Sequence, residues 1–121
     1  MISGIGIDIA KVARIAVAVE KWGERFLRRV FTDREIRYSF SMKDPYPSLS
    51  VRFAAKEAMI KAIGSRSFPF REMEVVNLET GMPVMEVKGE IEGYLKEHGI
   101  SKVHLSLAHE KEYAVACVIL E

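Results

Sequence analysis

The chain opens on an alternating pattern. Ile5, Ile7 and Ile9 project to one side of an extended segment and Gly4, Gly6 and Asp8 to the other, which predicts a strand over 2–10. The period then lengthens. Val12, Ile15, Val19 and Trp22 recur near helical spacing and predict an amphipathic helix over 11–23, while Phe26, Leu27 and Val30 predict a short second one. Thr32-Asp33-Arg34-Glu35 has the form of a capping box, in which Thr32 caps a helix and Glu35 reaches back. Asp44-Pro45-Tyr46-Pro47 breaks the chain, and a long helix is expected from Ser48 or Ser50 to Gly64. Further on, 65–70 reads as a loop, and 73–78 and 84–87 as strands paired about Glu79-Thr80-Gly81. Residues 89–98 form a modest helix ending at Gly99. Val103, Leu105 and Leu107 alternate in a strand that turns near Glu110-Lys111 into a final strand over 113–120. The expected fold is α+β, a mainly antiparallel sheet packed against helices, in a single domain over 1–121.

Composition narrows the function classes. With 121 residues, 49% of them hydrophobic, the chain is long enough to bury a real core. Eighteen Lys and Arg against seventeen Asp and Glu leave a formal charge of +1, which argues against a nucleic-acid partner. The cations are nevertheless concentrated between Lys11 and Arg37, where an acidic protein could dock or a helix face could simply be solvated. A lone cysteine, Cys117, excludes an internal disulfide framework and fits a reducing compartment, so the cytoplasm is the expected location. No apolar stretch reaches the roughly 18 residues of a membrane span.

Three places could carry chemistry. Asp8 shares a strand face with Gly4 and Gly6, where missing side chains would let a ligand approach; it could equally be a solvated or helix-capping residue. On the long helix, Phe53, Glu57, Lys61 and Gly64 follow one stripe, with Arg52, Lys56 and Ile63 on the next. Glu57 and Lys61 could hold a metal ion and its phosphate ligand, or could be a surface ion pair worth a few tenths of a kcal/mol. A hard cation such as magnesium takes one or two carboxylates plus water and phosphate oxygens, and Asp8 and Glu57 would suffice. The third place is Ser106 with His109. It lacks the Gly-x-Ser-x-Gly elbow of a nucleophilic serine, so His109 reads better as a hydrogen-bond donor to phosphate or backbone. No histidine or cysteine spacing suits zinc, and there is no P-loop.

Taken together, Gly4-Ile5-Gly6-Ile7-Asp8-Ile9, Arg14-Ile15, Arg52-Phe53-Ala54-Ala55-Lys56-Glu57-Ala58 with Lys61-Ala62 and Gly64, and Ser106-Leu107-Ala108-His109 resemble the holo-acyl-carrier-protein synthases. These are the small, single-domain branch of the 4′-phosphopantetheinyl transferases. The resemblance spans nearly the whole chain in order. It departs from the family pattern at Val51, in the glycine-poor segment after Gly64, and at Ala108. It implies transfer of 4′-phosphopantetheine from coenzyme A to a serine of apo acyl carrier protein, in support of fatty acid biosynthesis. Adenosine 3′,5′-bisphosphate is the other product. It also implies Asp8 and Glu57 as ligands of magnesium, or of manganese in its place, and Asp8, Glu57 and Lys61 as the catalytic set. Arg52, Lys56, Lys61, Gly64, Ser65, Ser106 and His109 are the implied coenzyme-binding residues. Members of the family form homotrimers with active sites between subunits. Arg14, and with it Lys21, Arg25 and Arg28, are the expected contacts for the acidic carrier protein. The rival readings are another magnesium-dependent enzyme acting on a nucleotide or phosphate ester, and a non-catalytic module for an acidic protein.

Overall fold

The computed structural model describes residues 1–64 and 66–121. Its elements are β1 (Gly4–Lys11), α1 (Val12–Trp22), α2 (Glu24–Val30), α3 (Asp33–Phe40), α4 (Tyr46–Ile63), β2 (Met73–Asn77), β3 (Pro83–Val87), α5 (Gly89–Glu97), β4 (Val103–His109) and β5 (Tyr113–Leu120). A 3-10 turn at Phe70–Glu72 leads into β2. The strands form a three-stranded sheet in the order β1-β5-β4 and a separate β2-β3 hairpin, with every pairing antiparallel. The α+β class read from the sequence is the class observed.

Helix α4 lies along the inner face of the three-stranded sheet, and the glycines of β1 explain how closely. A Cβ on Gly4 would stand 2.1 Å from the carbonyl oxygen of Ala62, and one on Gly6 only 1.9 Å from that of Ala58. The expectation that these glycines admit a ligand is therefore corrected: the space they leave is filled by helix backbone. Alanines complete the fit, with Ala54, Ala55, Ala58 and Ala62 on the helix and Ala10, Ala114 and Ala116 on the strands all buried. The other side of α4 is covered too. Ile15, Leu27, Val30 and Phe31 from the first helices form a second core with Leu49, so α4 is enclosed on most sides.

Two boundaries differ from expectation. Helix α4 starts at Tyr46, because proline fits a first helical turn whose N–H groups need no intrahelical partner; the Tyr46 N–H is satisfied by Asp44 Oδ1 at 3.0 Å. Trp22, expected on the buried stripe of α1, is 52% exposed, whereas Val12 and Ile15 are buried. The capping box forms as read: Thr32 Oγ1 accepts from Glu35 N, and Glu35 accepts from Thr32 N. Helix α4 ends on Gly64 in the left-handed conformation, φ 80°.

Candidate active site

Strand alternation puts Asp8 on the same face as Gly4 and Gly6, beside α4. Helical spacing puts Glu57 and Lys61 one turn apart on that helix. The ion pair that results crosses between elements. Lys61 Nζ stands 3.0 Å from Asp8 Oδ1 and donates to the Ile7 carbonyl at 3.2 Å. The Asp8 side chain is 16% exposed and that of Lys61 55%, so the lysine reaches from solvent over a largely buried carboxylate.

Asp8 and Glu57 line one cavity of about 170 Å³, together with Ala10, Lys11, Arg14 and Phe53. Partial burial pushes the Glu57 carboxyl above the usual carboxylate range, and the nearby charge of Asp8 pushes it further; Lys61 offsets part of this. Two carboxylates facing one recess suit a hard divalent cation, which would relieve the repulsion that Asp8 exerts on Glu57 and accept water or phosphate oxygens at its remaining positions.

Arg52 and Lys56, expected among the coenzyme contacts, face away from this cavity. Lys56 is fully buried, donating to the Val30 carbonyl at 2.7 Å and pairing with Glu35. Burial lowers its pKa, with Glu35 opposing that shift. Arg52 is 4% exposed; it donates to Ser48 Oγ at 2.9 Å and Asn77 Oδ1 at 2.7 Å, and its guanidinium lies 4.5 Å from the Tyr38 ring centre. Both cations are held inside the fold by hydrogen bonds, and neither reaches the Asp8 cavity.

The other implied coenzyme residues lie apart from Asp8 within one chain. Ser106 is exposed on β4, in register with Cys117 of β5, which is itself opposite Ile7. That is the outer face of the sheet, the reverse of the face carrying Asp8. His109 pairs with Ala114 at the end of β4 and is exposed. Its strand stands two positions from β1, a lateral separation of about 10 Å. Gly64 caps α4, and Ser65 lies outside the described residues.

The basic surface is more differentiated than its sequence. Arg14 lines both the Asp8–Glu57 cavity and a shallow groove along α1 that Lys11, Lys21, Val17 and Trp22 also border. Lys21 Nζ sits 5.1 Å from the centre of the Trp22 ring. Arg25 and Arg29 flank Trp22 and Phe26 in a neighbouring recess. Arg28 differs from expectation: its guanidinium is engaged by Glu24 at 2.8 Å and Asp33 at 3.0 Å, and the Glu24 contact raises its pKa. Sequence reading missed Val17 and Trp22 as parts of this surface: Trp22 lay on the expected buried stripe, and Val17, off that stripe, carried no signal of its own.

Residues 4–118 match the 4′-phosphopantetheinyl transferase superfamily, and the chain belongs to that family of enzymes. Its relatives include a holo-[acyl-carrier-protein] synthase of Halothermothrix orenii, 45% identical over 100% of this chain and 98% of that protein. The crystal structure of holo-[acyl-carrier-protein] synthase from Neisseria meningitidis superposes with a TM-score of 0.92 at 35% identity, covering 100% of this chain and 99% of the other. A holo-(acyl-carrier-protein) synthase from Bacillus anthracis, solved in complex with CoA (3′,5′-ADP), gives a TM-score of 0.81 at 36% identity, covering 99% and 96%.

Proposed function

We propose that the Asp8–Glu57 cavity, with Lys61 paired to Asp8 beside it, is where this chain carries out its family's reaction, with residues 1–121 acting as one domain. The reaction is transfer of 4′-phosphopantetheine from coenzyme A to a serine of apo acyl carrier protein. The observation that carries the assignment is the Lys61–Asp8 pair beside a Glu57 whose carboxyl is raised by burial and by Asp8. Asp8 and Glu57 would hold a magnesium ion, or manganese in its place. Such an ion supplies Lewis-acid stabilisation of the pyrophosphate oxygens and keeps the reacting groups in line. Lys61, tethered by Asp8 and the Ile7 carbonyl, adds positive charge where the leaving phosphate gathers negative charge. Glu57 takes the proton of the attacking serine as its oxygen bonds to phosphorus and the pyrophosphate bridge breaks, releasing adenosine 3′,5′-bisphosphate.

The carrier protein docks on α1 and α2 through Arg14, Lys21 and Arg25, with Arg14 placed to lead from the docking groove into the cavity. The outer sheet face supports a homotrimer. Ile5, Ile7 and Ile9 are 66%, 63% and 63% exposed, an apolar stripe that a second copy would cover. Ser106 belongs to that face, so active sites between subunits would draw Ser106 and His109 from a neighbouring copy, beside Gly64 of the first. Among the described residues no helix is long and apolar enough to cross a membrane. The unpaired Cys117 fits the cytoplasm.

The test is direct: incubate the protein with coenzyme A, magnesium and apo carrier protein and weigh the carrier. The expected result is the mass gain of one phosphopantetheine arm. An unchanged mass, with folded protein and an active control transferase alongside, would refute the reading.

A further inference from the structure

A fully buried ion pair joins the helix that carries Glu57 to the segment that carries the docking cations. The side chains of Lys56 and Glu35 are both 0% exposed. Lys56 Nζ donates to the carbonyl of Val30, the last residue of α2, and to Glu35 Oε1 in the first turn of α3. The same Oε1 accepts from Thr32 N at 3.0 Å, and Glu35 Oε2 accepts from Val75 N of β2 at 2.8 Å. One ammonium and one carboxylate thus connect α2, α3, α4 and β2. The Phe31 ring closes over them, 5.4 Å from Nζ to its centre.

Cohesion alone does not call for charge at this place. Apolar side chains of similar volume generally stabilise a core as well as a buried ion pair does, and such pairs are better suited to fixing one arrangement among several. The arrangement fixed here matters because of sequence position. Lys56 and Glu57 are consecutive on α4 and leave it in different directions, one into the α2–α3 junction and the other into the Asp8 cavity. Helix α2 follows α1 after Gly23 alone and carries Arg25 beside Trp22, so the placement of α2 sets that of its part of the cationic surface. Hydrogen bonds from an ammonium have direction, whereas apolar contacts between α2 and α4 tolerate sliding and rotation.

We infer that Lys56, through Glu35 and the Val30 carbonyl, is a positioning residue that holds the carrier-protein docking helices in register with Glu57. A serine delivered on that surface then arrives at the carboxylate that accepts its proton. The inference rests on the docking and proton-transfer roles proposed above; it makes no demand on coenzyme binding.

The experiment compares Lys56→Met/Glu35→Gln with the unaltered protein. The double variant removes both charges and keeps an acceptor for the Thr32 or Val75 amide. Carrier protein and coenzyme A are varied separately in steady state, coenzyme affinity is measured by calorimetry with magnesium, and the thermal midpoint is recorded. Expected are a folded protein, a coenzyme Kd within about twofold of the original, and kcat/KM for the carrier protein at least about tenfold lower. A folded double variant with unaltered kcat/KM for the carrier overturns the inference, as does a loss matched by equal loss of coenzyme affinity. Glu35→Gln alone, which keeps Lys56 bonded to Val30 but removes its counter-charge, is run as a second variant and read the same way. If neither variant folds, the pair serves folding alone and the inference is overturned. Arg14→Glu, measured alongside, separates the two claims: a carrier-selective loss there, with none in the double variant, refutes positioning and leaves docking intact.

Discussion

Glu57, proposed above as the proton acceptor, sits in an environment that sets a pH dependence of stability. Its carboxyl is raised above the ordinary 4.5, first by burial and then by the charge of Asp8. The native metal-free protein therefore keeps this proton at pH values where the unfolded chain has lost it. The resulting stability is fully present below 4.5 and is lost as pH rises through the raised value. Thermal melts from acid to neutral pH without added metal should show that decline, and Glu57→Gln should flatten it. A bound divalent cation would favour ionised Glu57, so saturating magnesium should also flatten the decline in these melts. At Gly6 the expectation is steric. Gly6→Ala would drive a methyl into the Ala58 carbonyl 1.9 Å away and should cost at least about 2 kcal/mol of stability in denaturant titration. The sequence showed that Asp8, Glu57 and Lys61 were candidates, because strand alternation and helical spacing are local properties. It could not show that Lys61 pairs with Asp8 across 53 residues, nor that Gly4 and Gly6 make room for a helix, since both depend on how α4 lies on the sheet.

At the scale of elements, α4 divides its charged residues between two sides, and sequence alone assigned both sides to the coenzyme. Arg52 and Lys56 read as free cations until the partners that bury them are seen: Tyr38, Ser48 and Asn77 for one, Val30 and Glu35 for the other. Apart from Ser48, four residues back on the same helix, those partners lie 14 to 26 residues from their cations on other elements, beyond what periodicity reports. Lys56→Met alone should leave Glu35 buried without its counter-charge and destabilise the fold by about 3–5 kcal/mol. An unchanged denaturant midpoint would contradict the buried pair. On α1, Arg14→Glu should raise the KM for carrier protein about tenfold at low salt, with little change in that for coenzyme A. The difference should shrink as salt screens the surface. Equal changes in both constants would remove Arg14 from docking.

For the whole molecule, the pattern predicted the antiparallel strands and their faces, including the shared side of Ile5, Ile7 and Ile9. It did not predict which face would be buried. Three isoleucines look like core, yet α4 takes the glycine side because its backbone needs close approach, and the isoleucines are left outside. The proposed trimer would cover this stripe. Ile7→Glu should therefore yield monomers in sedimentation and lose transfer activity; a trimer that persists would place the interface elsewhere. Arrangement of the whole, from the docking groove through Arg14 to the carboxylates, finally stands or falls with one number. That number is the initial rate at which Glu57→Gln, at saturating magnesium and coenzyme A, adds the phosphopantetheine mass to apo carrier protein. A fall of at least about 100-fold in a folded variant is the predicted result. Turnover close to that of the unaltered protein would contradict the assignment of this cavity.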